Sequence, residues 1–310
     1  MARWTTLLML LVGGSLAAAQ NDRINWGTDP REAVHAAQRY GRPLMVYVLA
    51  SSQNRDDDLE RAQKRALSDA RVLQRAKNYV PLRLSRSRHR NILKDFGLPT
   101  HANMMMSFVT PDGEVLGTLG AQGVGQVDSL VQKLKLVFNT YRKKVYDGRV
   151  KPILDDADAK PADIKQALAL IDEFEIDSAD KDVVALLDRK RLSKVLRKQA
   201  CGTLAALSTQ TAVTKLLELV DAGDADATDA LSKCTPPAAE MMLSKLEADA
   251  EAFNYAVYKA VTRICRIRSV KPARYFEKAS ERLKQSEVER VTRLVQMNAQ
   301  RWRERQNETR

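Results

Sequence analysis

The sequence predicts an α/β domain, a central mixed sheet flanked by helices, followed by an all-α domain of helical repeats. Three observations carry that expectation. Residues 43–50, PLMVYVLA, form a continuous apolar run rich in β-branched and aromatic side chains, the pattern of a strand covered on both faces. Thr110-Pro111-Asp112-Gly113 is a turn signal set between two short apolar runs, which reads as a hairpin. From Ala162 onward the strand pattern disappears, and segments of helical periodicity alternate with short polar turns.

In chain order, residues 1–19 come first. Arg3 precedes an apolar run from Leu7 to Val12, and small residues close at Ala17-Ala18-Ala19. That order is the pattern of a secretory signal peptide cleaved after Ala19, so an exported protein, periplasmic or extracellular, is expected. Residues 28–41 read as a capped helix, with Thr28 or Asp29 as N-cap, Pro30 in the first turn and Gly41 just past the end. The strand at 43–50 leads into a helix expected over Asp56–Lys77, whose aspartates complement its positive end. Val80–Leu84 is a second strand, parallel to the first because a helix links them. A short helix ends near Phe96-Gly97. Met104–Val109 and Glu114–Leu119 pair around the hairpin turn, and a helix over about Gln126–Val145 closes the domain.

Residues 147–161, rich in Asp, Lys and Pro, read as a linker. The helical domain then runs over 162–305, with 306–310 as a tail. Cys201, Cys234 and Cys265 stand 33 and 31 residues apart, each expected near a helix end. A 30–40-residue unit of two helices implies a stacked solenoid, with an irregular bundle as the alternative. Three cysteines do not suggest a disulfide framework and read as small buried apolar residues. The carboxylates of Asp221–Asp229 read as a polar inter-helix turn, since they lack the order of a calcium loop.

Residues 24–145 resemble the thioredoxin-like superfamily. The resemblance lies in Trp26, the helix ending Gly41-Arg42-Pro43, the strand Met45–Ser51 and the hairpin FVTPDGEVLG over Phe108–Gly117. The helical half looks like degenerate HEAT-type repeats. The first resemblance implies a redox loop after the first strand, ending in a Cys-x-x-Cys pair. Here that loop holds Ser51, Ser52, Gln53 and Asn54, and Gln53 and Asp56 stand at the two cysteine positions. Thiol–disulfide exchange needs a thiolate at the helix start and a second thiol in reach, and no cysteine precedes Cys201. The family's cis-proline position falls at about Met104, counting back from Asp112-Gly113, with Pro99 as the alternative.

Charge adds a second theme. Residues 21–146 carry 21 Lys and Arg against 12 Asp and Glu, a net +9, while residues 147–270 carry 18 against 21. Arg83, Arg86, Arg88 and Arg90 form a candidate anion-binding patch. No Gly-rich phosphate loop, HExxH or Gly-x-Ser-x-Gly elbow is present. No cofactor, metal site or specific nucleic acid is expected. Three functional readings follow. The first is an exported, redox-inactive scaffold or assembly factor that binds protein partners. The second is a non-redox enzyme using the polar loop 51–56. The third is binding of an anionic polymer or membrane surface through the arginines.

Overall fold

A computed structural model describes residues 23–49, 57–99, 105–247 and 253–308. Two compact units divide between Lys135 and Leu136.

The first unit starts with α1 (Pro30–Tyr40). Its N-cap Asp29 accepts from the Arg31 and Glu32 amides at 2.7 and 3.2 Å, satisfying donors that the helix itself leaves free. Gly41 ends it in the left-handed region at φ 61°, where glycine pays no Cβ penalty. Next come β1 (Leu44–Leu49), α2 (Asp57–Leu67), α3 (Ala70–Ala76), β2 (Val80–Ser85) and α4 (Arg90–Asp95). They are followed by β3 (Met105–Val109), β4 (Val115–Gly120), α5 (Ala121–Val124) and α6 (Val127–Val145), the last crossing the division between units.

The sheet order is β2-β1-β3-β4. β1 runs parallel to β2, with Tyr47 opposite Arg83, and antiparallel to β3, with Met45 opposite Phe108. β3 and β4 form the expected hairpin, closed by the Thr110 amide donating to the Glu114 carbonyl at 2.8 Å. β1 is central, and residues Leu44 to Val48 are all buried. On one face Leu44, Val46 and Val48 join Ala33 and Ala37 of α1 and Leu93 of α4 in one core. The alanines present no bulk, so α1 can lie close to the strands.

One expectation for this unit changes. The helix read over Asp56–Lys77 is broken at Ser68-Asp69, where Asp69 turns to cap α3 by accepting from the Arg71 amide. A short carboxylate side chain competes with the helical ladder at that point. The last helix stands as read, as α6, with the short α5 before it.

In the second unit, residues read as a linker are helical. A π-turn spans Tyr146–Val150 and α7 spans Lys151–Asp155, with Val150 and Leu154 buried. Pro152 sits in the first turn of α7, where its missing N–H costs nothing. The helices continue as α8 (Pro161–Phe174), α9 (Asp180–Leu187), α10 (Lys194–Leu207), α11 (Gln210–Asp221) and α12 (Ala225–Leu231). Then follow α13 (Pro236–Glu247), α14 (Tyr255–Ile264), α15 (Ala273–Lys278) and α16 (Glu281–Glu308). Alternate helices stack in two rows. α8, α10, α12 and α14 pack in succession, as do α9, α11 and α13, and α16 packs on α13. This two-row arrangement is compatible with helical repeats.

The three cysteines all fall along the α10–α12–α14 row, but not at equivalent places. Cys234 follows α12 and Cys265 caps the end of α14, whereas Cys201 lies mid-helix in α10. Asp224, from the acidic run, caps α12 through the Ala227 amide and pairs with Arg197 at 2.8 Å.

Candidate functional site

Ser51, Ser52, Gln53, Asn54, Asp56 and Met104 lie outside the described residues. Arg83, Arg86, Arg88 and Arg90 are all described. Arg83 projects from β2 and lines a cavity; Arg86, Arg88 and Arg90 are not among its walls. Arg88 and Arg90 are exposed around the start of α4. Arg86 is half-buried, and its Nε and Nη2 meet no hydrogen-bond acceptor.

The cavity lies in the sheet unit and has a volume of about 680 Å³. Its floor is Tyr47 and Leu49 of β1 beside Arg83. α2 supplies one wall through Glu60, Lys64 and Leu67, with Ser68 just past its end, and the chain at Arg23–Trp26 supplies another. That second wall is held by Gly27, whose amide donates to the Pro81 carbonyl at 3.0 Å while its carbonyl accepts from the Arg83 amide at 2.8 Å. Pro81 has no amide hydrogen, which suits an outer strand. A Cβ at Gly27 would stand 3.3 Å from the Pro81 oxygen, so glycine permits the close approach.

Tyr47 fixes the floor. Its ring lies 5.5 Å from that of Trp26, and its hydroxyl donates to Gln63 Oε1 at 2.7 Å. Gln63, fully buried, donates in turn to the Ala121 carbonyl at 2.8 Å. A buried hydroxyl and amide therefore satisfy each other, as burial demands. Burial, then the Glu60 carboxylate, push the Tyr47 phenol up to about 12 against the opposing charge of Arg83. It stays neutral at physiological pH and anchors the floor rather than acting as a base. Glu60 and Lys64 pair at 3.1 Å one helical turn apart. No cluster of three metal-ligating side chains occurs among the described residues.

Sequence reasoning named Arg83 as a candidate; the cavity sets it beside Arg23, Trp26, Tyr47 and Lys64, which it did not name as site residues. One signal was present: a tyrosine in an otherwise aliphatic strand needs a partner for its hydroxyl.

All three thiols of the chain are buried in the second unit. Burial foremost pushes Cys201 and Cys265 up to about 11 and Cys234 to about 12. Such thiols carry almost no thiolate at neutral pH. An aromatic disulfide reagent is therefore expected to leave the native protein unmodified over minutes and to titrate all three thiols in denaturant. Rapid modification of any one in the native state would contradict this burial.

No helix among the described residues is long and apolar enough to cross a membrane. No protein-family model matches the chain, and no curated protein matches it.

Proposed function

We propose that this chain is an exported, non-catalytic protein-interaction scaffold or assembly factor, built on a redox-inactive thioredoxin-like domain and a HEAT-like helical domain. The order β2-β1-β3-β4, with a parallel helix-linked pair and a terminal hairpin, supports the thioredoxin-like reading. The two stacked rows of helices support the HEAT-like reading, and such stacks present extended surfaces to partners. One observation carries the functional conclusion: a frame that elsewhere works through a thiolate has no sulfhydryl in its sheet unit, and the chain's three thiols are buried in the other. What such a frame retains is shape and charge.

Insulin reduction tests the redox half. The full chain should give no turnover above the reductant background, and a variant with all three cysteines changed to alanine should behave identically. Turnover comparable to a thioredoxin would overturn it. Crosslinking in the native compartment tests the scaffold half. A defined protein partner is expected, and recovery of the chain solely as uncrosslinked monomer counts against it.

A further inference from the structure

We propose that the cavity between α2, β1 and the Arg23–Trp26 segment docks an acidic polypeptide segment carrying an apolar side chain; this rests on the interaction-scaffold reading and names the partner's chemistry. The argument begins with charge. Lys64 is paired with Glu60 at 3.1 Å, which leaves Arg23 and Arg83 as the other cations among the described lining residues. Neither forms an ion pair with a carboxylate among the described residues. Two guanidiniums facing one opening select carboxylates, which they bind through forked hydrogen bonds. The basic excess of this half of the chain, net +9 over residues 21–146, draws an acidic partner in the same direction.

The distribution of polarity selects a polypeptide over a small anion. Arg23 and Arg83 are exposed, whereas Tyr47 is buried and Trp26 and Leu49 are half-buried. Charged groups thus stand at the rim and aromatic and aliphatic surface at the floor. This is the anatomy of a protein interface, in which one apolar anchor fills a pocket and polar contacts surround it. The site is also preformed. Tyr47 is tied through Gln63 to Ala121, and the opposite wall is tied through Gly27 to β2, so little ordering is required on binding.

The test uses the tryptophans. The sequence has three, and changing Trp4 and Trp302 to phenylalanine in the full chain leaves Trp26, in the cavity lining, as the sole tryptophan. The probe is a hexapeptide with four glutamates around a central Leu-Phe pair. A saturable change in Trp26 emission is expected, weakening steeply with added salt. Arg83→Gln and Arg23→Gln should each weaken binding about tenfold or more, and a lysine-for-glutamate twin of the peptide should not bind. Both arginines are exposed, and unchanged thermal unfolding of the variants will show that they fold. Absence of saturable binding, equal affinity in the arginine variants, or equally tight binding of benzoate would each overturn the proposal. A partner crosslinked to the parent chain and equally to the Arg23→Gln/Arg83→Gln double variant would refute this site while leaving the scaffold reading intact.

Discussion

Truncating Phe108 to alanine is expected to destabilise the sheet unit by about 3–5 kcal/mol, the usual cost of removing a buried aromatic ring. Phe108 is fully buried in β3. Its ring lies 5.4 Å from that of Tyr79, and Tyr79 donates its hydroxyl to the Leu134 carbonyl. Across the sheet Phe108 stands opposite Met45 on one side and Gly117 on the other. Gly117 has no side chain to move into the space, so the void would persist and its cost with it. A loss of this size is a large share of the roughly 5–15 kcal/mol that holds a domain folded. Urea unfolding of the two proteins measures it, and hydrogen exchange locates it. Protection should fall in β1 and β3 and persist in α10 to α14. An unchanged unfolding midpoint would show that Phe108 is not part of the core that organises the sheet.

The elements read best from the sequence are those whose determinants are local. The strand at 43–50 was legible because a strand covered on both faces has no polar alternation, and β1 is buried at every position from Leu44 to Val48. α1 was legible because its cap, its proline and its glycine stand at fixed offsets from its ends. The break at Asp69 was not. Apolar spacing continues through it, with Ala66, Val72 and Ala76 all buried, and only the choice of Asp69 to bind its own backbone interrupts the helix. The stretch 147–161 misled for the opposite reason. Its composition is that of a linker, yet Val150 and Leu154, one turn apart, both face a core. Two apolar residues suffice to seat a short helix once neighbours surround them.

The cavity was less legible, because its walls converge only through tertiary structure. Trp26, Tyr47, Lys64 and Arg83 are each about twenty residues from the next, and no local spacing links them. Arg83 drew notice as one of four close arginines. Its strand position places it beside Tyr47, while Arg86, Arg88 and Arg90 lie past the end of β2. Nearness in sequence therefore concealed the grouping of Arg83 with Tyr47. The buried Gln63 is instructive in the same way. A glutamine inside a helix with an apolar side is paired over a long range with Tyr47 and Ala121, and the chain's order does not reveal either partner.

Glu287 governs the second large expected effect. It is 6% exposed on α16 and accepts from Arg290 at 2.7 and 2.8 Å and from the Tyr258 hydroxyl of α14 at 2.7 Å. The Tyr258 oxygen in turn accepts from the Lys271 amide at 3.0 Å, so one carboxylate ties together α14, the segment after it and α16. Glu287→Ala would leave a fully buried hydroxyl and a guanidinium 34% exposed without their acceptor, a change that costs about 2–3 kcal/mol because the guanidinium is partly hydrated. Glu287→Gln keeps an acceptor oxygen and should cost less. Replacing the pair together, as Glu287→Leu with Arg290→Met, should recover part of the loss, because no charge is then left unmatched. The pH dependence has a definite sign. Burial alone would raise the Glu287 carboxyl, but hydrogen bonds from Arg290 and Tyr258 and the nearby positive charge outweigh it and hold the group below its usual range. A carboxyl depressed on folding stabilises above its unfolded value, about 4.3, and that contribution is lost as pH falls through the folded value. The stability gap between the parent and Glu287→Ala should therefore be widest above pH 5 and shrink as the solution is made more acidic. Unfolding midpoints of both proteins taken between pH 7 and pH 3 decide it: a gap that stays constant across that range would mean the carboxylate's charge contributes nothing, and the network would be one of shape alone.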